Sequence, residues 1–435
     1  VPPLEAVTEI PTLRPDGTVH HAAGYDPTTC LLHEPAVGLT VPTIPDQPTR
    51  DDVTAAVALL DELLCDFPFD TQADKANAIA CLLTPVVRPA IDGQVPLGLV
   101  DAPEPGTGKG LFSKVVAIVA TGRTAAVKPM PDREEEIRKM ITATLMEGTT
   151  IIVLDNVDDA IKSPSLAAAL TSDIWSDRIL GRSEVSALPN RATWLATGNN
   201  LQVAGDLARR CYRIRLDAKQ AKPYTRTGFR HEDLEHWTIQ HRGQILAALL
   251  TCARAWYAAG QPRADVPALG GYTPWARTVG GILHHAGIPG FLDNLLAFMA
   301  TADAEANEWE GFLTAWVDRW GTEVVTVSEV LLELDSRGTV RLRDALPGDL
   351  ATAFERATFK QVLGHALTRR AGRHYGDPGH HLISHPKDRR RVALWSVSYR
   401  GADQHDADVL PLREPARRPP EPLDFGTVSP QELEY

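Results

Sequence analysis

Apolar residues alternate between two spacings along the middle of this chain, and the alternation predicts strands separated by helices. Short runs rich in β-branched and other apolar residues predict strands near residues 97–100, 125–128, 150–154, 192–196 and 212–216. Between the runs, apolar residues recur at helical spacing near 110–120 and 132–147, and Gly148 stands where a helix C-cap is expected. Strands alternating with helices predict a parallel sheet of the α/β class.

Helical patterns flank this region on both sides. Residues 1–50 are rich in Pro, Gly and Thr and predict an irregular or short-stranded linker, after which helices are expected from Asp51 and Asp70. After Asp217 the strand signals stop, and helices are predicted near residues 232–258, 275–285, 291–301 and 308–320.

The C-terminal part has a third pattern. Two helices, the second near residues 358–370, precede two strands near 381–384 and 392–398 that are joined by a basic turn. Helices followed by a two-stranded basic ribbon predict a winged helix-turn-helix. Residues 401–435 hold six prolines and eight acidic residues, and they are expected to form a disordered tail because they are too poor in apolar side chains to pack.

Composition narrows the class of protein. The chain has 435 residues, enough for two or three folded units. Its five cysteines are widely spaced and never arranged as Cys-x-x-Cys, which argues against a disulfide framework or zinc ribbon and favours a reducing compartment. No apolar run reaches the ~18 residues of a membrane span, so a cytoplasmic protein without membrane contact is expected. Because the sequence begins with Val1, either the start codon encoded Val1 or an upstream part has been removed.

Charge is distributed unevenly. The net charge is -12, yet residues 351–400 hold ten Lys or Arg against three Asp or Glu. This basic segment is the expected contact with duplex DNA, because a winged helix places one helix in the major groove and its wing along the backbone. The expected phosphate contacts are Lys360, Arg369, Arg370, Lys387, Arg389, Arg390 and Arg391. A protein-docking surface or a solvated face remains an open alternative.

A phosphate-binding loop is the strongest chemical signal. The segment Pro103-Glu-Pro-Gly-Thr-Gly-Lys-Gly lies between a predicted strand and a predicted helix, so backbone N–H groups and a helix N-terminus converge where phosphates bind. Lys109 is expected to reach the outer phosphates of ATP. Pro103 and Gly110 depart from the P-loop pattern, which has Gly and Ser or Thr there, and the hydroxyl that ligates Mg²⁺ is missing. The nucleotide-contacting residues are expected to be Pro105, Gly106, Thr107, Gly108, Lys109, Gly110 and Leu111.

Polar residues end two further strands of the predicted sheet. Asp155 follows the buried run 150–154 and suits a Walker B aspartate that holds Mg²⁺ through water. Asn156 stands where a catalytic Glu is usual in motors of this type. Asn199 ends the next strand and is positioned to direct an amide at the γ-phosphate or the attacking water. Arg209 and Arg210 follow shortly after, and either one is a candidate arginine finger for a neighbouring subunit.

These four elements, in this order, resemble the core of an AAA+ ATPase. A wider set of segments resembles the helicase half of primase-helicase proteins encoded by phages, plasmids and genomic islands, over roughly residues 10–300. The segments begin at Leu13 (LRPDGT), Gly24 (GYDPTT), Asp66 (DFPF), Val100 (VDAPEPGTGK), Leu154 (LDNV), Trp175 (WSDRILGRS), Ala196 (ATGNN) and Asp206 (DLARRCY).

The resemblance implies an organisation and a set of partners. It implies an ATPase core at residues 51–217 and a helical lid at 218–322, and the C-terminal pattern of helices and a basic ribbon predicts the winged-helix domain at 323–400. It also implies ATP and Mg²⁺ as cofactors, a homo-hexameric ring with single-stranded DNA in its channel, and a primase domain or protein as partner. Arg277 would be a second sensor of the γ-phosphate in the lid, with a solvated Arg as the open alternative.

The resemblance further places a channel-lining hairpin between the Asp155 and Asn199 strands. Arg182 at its tip is the favoured DNA-backbone contact, and Arg178 is interpreted as an interface or structural Arg with DNA contact as a second role. An ordinary surface hairpin is the alternative. Two functions therefore remain open: an ATP-driven hexameric DNA helicase of a phage or mobile element, or an ATP-regulated DNA-binding initiator or loader that unwinds little or nothing.

Overall fold

A computed structural model describes residues 3–157, 160–178, 185–203, 205–302, 304–335, 340–377, 379–387 and 392–400. The chain divides into two units, Val1–Glu308 and Trp309–Tyr435. The predicted tail, residues 401–435, lies outside the described residues. Within the described ranges, every helix is too short or too polar to cross a lipid bilayer.

The first unit begins with short strands. They are β1 (Ala6–Thr8), β2 (Thr12–Leu13), β3 (Val19–His20), β4 (Gly24–Asp26) and β5 (Leu31–His33). β5 is parallel to β1 and antiparallel to β4. β2 and β3 form a separate antiparallel pair. The segment was expected to be irregular or short-stranded, and its Ile10 and Leu13 are buried in the same core as the central sheet.

Two helices connect this segment to the central sheet. α1 (Arg50–Leu64) and α2 (Gln72–Val87) each begin with a capping box, in which Thr49 and Asp52, or Thr71 and Asp74, satisfy each other's backbone N–H groups. These reciprocal bonds fix where each helix starts, close to the predicted Asp51 and Asp70.

The central region alternates strands and helices as predicted. Its elements are β6 (Leu97–Ala102), α3 (Lys109–Thr121), β7 (Val127–Pro129), α4 (Glu134–Met146), β8 (Ile151–Val157), α5 (Pro164–Ala169), β9 (Ile174–Arg178), β10 (Val185–Pro189), β11 (Thr193–Asn199) and β12 (Cys211–Arg215). Five of the strands form a parallel sheet in the order β12-β6-β11-β8-β7, which confirms the predicted α/β class. β9 and β10 form a separate antiparallel hairpin.

The strand order of this sheet brings the candidate site residues to one edge. β11 lies between β6 and β8, and all three strands run in the same direction. Their carboxyl ends, which carry the phosphate loop, Asn199 and Asp155, therefore meet at one edge of the sheet, where ligands bind in open parallel sheets.

Helices complete the first unit. α6 (Leu234–Ala258) packs against α1 and α3, and it is followed by α7 (Thr273–His285) and α8 (Leu295–Ala302). Gly243 permits close approach on α6, since a Cβ there would lie 1.9 Å from the Thr40 carbonyl oxygen. The buried apolar residues of α6 to α8 belong to the same core as the sheet.

The second unit contains helices and a small sheet. The elements are α9 (Ala304–Trp320), which begins shortly before the unit boundary, β13 (Val325–Thr326), α10 (Val327–Asp335), α11 (Val340–Asp344), α12 (Gly348–Ala353), α13 (Phe359–Arg370), β14 (His374–Tyr375), β15 (His380–His385) and β16 (Leu394–Ser398). The strands form an antiparallel sheet in the order β13-β16-β15-β14. The predicted helix and two strands are confirmed as α13, β15 and β16.

Candidate nucleotide-binding site

The phosphate loop connects the end of β6 to the start of α3. Gly106 and Gly108 both adopt positive φ, at 78° and 112°, where side chains other than glycine are disfavoured. The Thr107 hydroxyl donates to the Glu104 carbonyl oxygen at 2.6 Å and closes the loop. The backbone N–H groups at the start of α3, a 13-residue helix, have no partner within the helix and can receive an anion.

Lys109, the first residue of α3, is buried beside this loop. Its ammonium donates to Asn199 Oδ1 at 2.6 Å and to the Glu104 carbonyl oxygen at 3.4 Å. Burial lowers the pKa of Lys109 and outweighs the opposite effect of Asp101 and Asp155. Among the described residues, its hydrogen-bond partners are these two neutral oxygens, and a buried cation in such surroundings is suited to bind an anion.

Asp155 and Asn156 lie near the C-terminal end of β8, next to β11. Asp155 Oδ1 accepts a 2.5 Å hydrogen bond from the Thr197 hydroxyl, whose oxygen accepts from the Asn156 N–H at 3.1 Å. Asn156 has a φ of 51°, in the left-handed region that Asn tolerates better than most residues. Gly198 is required at the irregularity in this pairing, because a Cβ there would lie 2.4 Å from the Val157 carbonyl oxygen.

Asp101 fixes the strand that leads into the phosphate loop. Its buried carboxylate accepts from the Leu201 N–H at 2.9 Å and forms an ion pair with Arg215 at the end of β12. Asp101 therefore ties β6 to β12 and to the turn after β11, and it reinforces the position of Asn199.

A cavity of about 330 Å³ adjoins the phosphate loop on the side of Gly106, Thr107, Gly108 and Leu111. Its other wall is formed by residues 223–235 and by Asp66 and Phe67, which follow α1. Asp66 accepts from the N–H groups of Arg230 and His231, both at 3.0 Å, and so holds this segment against the loop. Tyr224 and Phe229 are exposed aromatic rings on the cavity wall, where a flat apolar base can stack.

The two candidate arginine fingers have different surroundings. Arg210 is mostly buried, pairs with Asp206 and donates to the Ala167 carbonyl oxygen at 2.9 Å. Arg209 also pairs with Asp206, but 66% of its side chain is exposed. Arg210 is therefore anchored within its own chain, and Arg209 is free to extend from the surface.

The structure places Arg277, the predicted second sensor of the γ-phosphate, away from this chain's own phosphate loop, and the sensor role itself stays a prediction. Arg277 lies close enough to Tyr257 to counteract the rise in the phenol pKa that burial causes. Tyr257 is near the C-terminus of α6, whereas Leu234 at its N-terminus lines the cavity beside the phosphate loop. The two ends of α6 are about 35 Å apart at 1.5 Å per residue, so Arg277 lies far from that loop.

The candidate DNA contacts are exposed, buried, or outside the described residues. Arg178 is exposed at the end of β9, and Lys360, Arg369 and Lys387 are exposed in the second unit, where the Lys360 ammonium donates to Ser328 Oγ at 3.0 Å. Arg182, Arg389, Arg390 and Arg391 lie outside the described residues.

Arg370 does not fit the predicted role of phosphate contact. It is 6% exposed, its guanidinium stacks 4.2 Å from the Trp309 ring centroid, and it faces Asp349. Arg370 therefore belongs to the core of the second unit.

Several site residues were not singled out from the sequence. Thr197 lies within the segment Ala196-Thr-Gly-Asn, but a Thr within a strand is too common to mark a positioning role. Asp66 and Phe67 were part of the DFPF segment, which was a signal without an assigned role. Tyr224 and Phe229 lie in irregular sequence, and only their exposure and position on the cavity wall identify them.

Comparisons with known proteins give a distant structural likeness. No protein-family model and no curated protein matches this sequence. Among solved structures, the apo structure of the C-terminal region of NrS-1 superposes with a TM-score of 0.37 at 11% sequence identity. The match covers 78% of this chain and 66% of that one, so it spans slightly less than two thirds of the NrS-1 region.

Proposed function

We propose that this protein is an ATPase of the AAA+ type and that it acts on DNA as a hexameric helicase or translocase during replication of a phage or mobile element. The contact of Lys109 Nζ with Asn199 Oδ1 at 2.6 Å carries the ATPase proposal. It joins the phosphate loop to Asn199 at the end of β11, and β11 is paired with β8, which carries Asp155 near its C-terminal end.

The residues present fit a nucleotide bound with Mg²⁺. Gly106 and Gly108 form a cradle without side chains, and a Cβ on Gly106 would lie 2.9 Å from Tyr224 Cβ. Asp155 is the residue that would hold Mg²⁺, and Thr197 fixes one of its carboxylate oxygens. Bound Mg²⁺ neutralises the negative charge of the phosphates during transfer.

Other side chains of this protein would bind the phosphates, orient the attacking water and hold the adenine base. Lys109 would exchange its bond to Asn199 for one to the outer phosphates, since an ionised acceptor makes the stronger hydrogen bond. The released Asn199 amide would orient the attacking water or the γ-phosphate. The cavity beside Phe67, Tyr224 and Phe229 would take the adenine base.

The surroundings of Arg209 and Arg210 support the proposal of a ring assembly. Arg209 is exposed, while Arg210 is anchored to Ala167 and Asp206 in its own chain. We assign the finger role to Arg209, which would stabilise transition-state charge at the nucleotide of a neighbouring subunit. A closed ring, most simply a homo-hexamer, gives every site such a neighbour.

The DNA part of the proposal depends on two exposed basic regions. Arg178 belongs to the β9–β10 hairpin, whose tip would line the channel of the ring. Lys360, Arg369 and Lys387 would contact duplex DNA from a winged-helix domain, and a primase domain or protein would be the functional partner.

A second function is favoured by two local features. Gly110 provides no hydroxyl for Mg²⁺, and Asn156 provides no carboxylate to activate water. An initiator or loader that binds ATP to set its assembly state needs neither group.

The two functions are separated by measuring steady-state ATP hydrolysis with and without single-stranded DNA, together with unwinding of a forked duplex. A helicase should hydrolyse ATP faster with DNA and should separate the strands. Nucleotide-dependent DNA binding without strand separation would establish the loader instead.

A further inference from the structure

The helix α8 of the first unit has an apolar composition on all of its sides. Its sequence, LLAFMATA, contains no charged residue. Leu295 and Phe298 are buried in the core of the first unit, where α8 packs against β12. A surface helix of a globular protein normally carries charged or polar residues on its solvent side, and a helix that is apolar all round is normally covered. The composition of α8 is therefore that of a helix with partners on both sides.

The outer side of α8 is nevertheless exposed. Leu296 is 79% exposed, and Ala297, Ala300 and Thr301 are exposed beside it. The Thr301 hydroxyl donates to the Phe298 carbonyl oxygen at 3.0 Å, so its polar atom is satisfied within the helix. Positions one, four and five residues after Leu296 lie on the same side of a helix, so these four residues form one apolar surface, the α8 face.

A second exposed leucine shows how the α8 face differs from an ordinary surface. Leu332 in α10 is 71% exposed, but Glu329 and Asp335, three positions before and after it, are exposed acids. Single apolar residues among charged ones are normal on protein surfaces. The α8 face has no such charged neighbours on its own helix, so it is the one of the two that calls for a partner.

The position of α8 indicates which partner covers this face. α8 packs against Gly205–Arg210, the short helix that carries Arg209. Arg209 is 66% exposed and is the proposed arginine finger toward a neighbouring subunit. A subunit close enough to receive Arg209 at its nucleotide would therefore lie beside α8.

The nucleotide cavity has a rim with complementary properties. Tyr224 and Phe229 are 66% and 40% exposed and provide apolar rings. Glu232 and Asp233 follow them on the same cavity wall and are exposed acids. The rings match the apolar α8 face, and the two carboxylates match the positive charge of Arg209 beside it.

We propose that the α8 face docks against this aromatic and acidic rim on a second copy of the chain, with Leu296 as the central apolar contact. The inference rests on the shared-site assembly proposed above, and it names the surface that would hold Arg209 over the neighbouring nucleotide. Each copy contributes the α8 face to one neighbour and the rim to the other. Such a heterologous interface repeats from copy to copy and can close into a ring.

Sedimentation velocity of the full chain with ATP and Mg²⁺ tests the interface. The unmodified protein should assemble, and Leu296→Arg should weaken self-association by about tenfold or more, because the interface would bury a charge without a partner. Leu332→Arg is the matched control and should assemble normally. Binding of a fluorescent ATP analogue and the melting temperature should stay unchanged in Leu296→Arg, since α8 does not line the nucleotide cavity and the substitution is at the surface.

Two results of this measurement would overturn different proposals. If the unmodified protein and Leu296→Arg assemble equally well, the α8 face is not the interface, although the ring proposal stands. If the unmodified protein stays monomeric with ATP, Mg²⁺ and single-stranded DNA, the ring proposal itself is wrong, and this interface with it.

Photocrosslinking identifies what covers the α8 face. Leu296→p-benzoylphenylalanine, prepared as an equal mixture of isotope-labelled and unlabelled protein, should crosslink to residues 223–235, and the crosslinked peptides should combine both isotopes. The same group at Leu332 should give no crosslink to that segment. Crosslinks from position 296 that join only peptides of one isotope would show that the second unit of the same chain covers the face, and they would overturn the proposal.

Discussion

Lys109 Nζ lies 2.6 Å from Asn199 Oδ1, although Lys109 begins α3, Asn199 ends β11, and the two residues are 90 positions apart in the sequence. The contact exists because β6 and β11 are adjacent and parallel, with Asn199 opposite Ala102. Their carboxyl ends therefore converge just before the phosphate loop. An anion placed at this point would meet a cation whose present contact is a neutral amide.

Lys109→Ala should abolish ATP turnover, because the loop loses the only cation that it directs toward the phosphates. Lys114→Ala is the control on the same helix, since Lys114 is exposed and pairs with Glu235 at 2.7 Å. Steady-state phosphate release measures both. If Lys109→Ala retained more than about a tenth of the wild-type rate, which is about 1.4 kcal/mol of barrier, the P-loop assignment would be wrong.

Thr197→Val should weaken the use of Mg²⁺, because the Thr197 hydroxyl both donates to Asp155 and accepts from the Asn156 N–H. We expect the Mg²⁺ concentration for half-maximal turnover to rise about tenfold, as for other groups that hold a metal ligand in position. Nucleotide binding without metal should stay the same, and Thr197→Ser should restore the wild-type requirement. Identical Mg²⁺ titrations for the Val and Ser variants would exclude this positioning role.

Gly110→Ser should have the opposite effect on Mg²⁺. A Cβ at Gly110 would meet no atom within 4 Å, so a side chain fits there without rearrangement. The new hydroxyl would stand where P-loops usually ligate Mg²⁺, and it should lower the Mg²⁺ concentration needed for turnover. Gly110→Ala separates this effect from helix stabilisation, which is up to about 1 kcal/mol for replacing Gly by Ala. A Ser variant that behaves like the Ala variant would speak against metal binding at this position.

Arg209→Ala should leave nucleotide binding nearly intact and reduce hydrolysis by about 10³ to 10⁵, the range of known arginine fingers. Mixing it with Lys109→Ala should recover some turnover, because a mixed ring contains interfaces with one intact loop and one intact finger. Arg210→Ala should instead lower the melting temperature, since Arg210 is anchored to Ala167 and Asp206. The shared-site proposal fails if no mixture regains activity.

The strands and the site at their ends could be predicted because each depends on local signals. Buried apolar runs specify parallel strands, and parallel strands bring their polar ends to one edge, which places Lys109, Asp155 and Asn199 near each other. The position of Arg277 could not be predicted, because its distance from the phosphate loop depends on the full length of α6, which a local motif does not contain.

The burial of Arg370 was predictable from helical spacing, although its charge alone suggests an exposed position. Leu363, Ala366, Leu367 and Arg370 recur at helical spacing, and all four are buried on one face of α13. A count of basic residues does not distinguish Arg370 from Arg369, because it ignores which face of the helix each residue occupies. The exposure of the α8 face could not be predicted, because a helix of this apolar composition is expected to be covered on all sides.

Arg369 and Arg370 are neighbours in sequence and should nevertheless respond differently to substitution. Arg369 is exposed, so Arg369→Ala should remove one phosphate contact and flatten the slope of log K against log salt for duplex DNA by about 0.9, as counterion release requires. Arg370→Ala should leave that slope unchanged and destabilise the second unit by about 1 to 3 kcal/mol, because its buried guanidinium stacks on Trp309. Fluorescence anisotropy at several salt concentrations measures the first effect, and thermal unfolding measures the second. An unchanged salt slope for Arg369→Ala would remove α13 from the DNA-binding surface, whereas a flatter slope with unchanged stability for Arg370→Ala would show that its side chain is accessible to DNA.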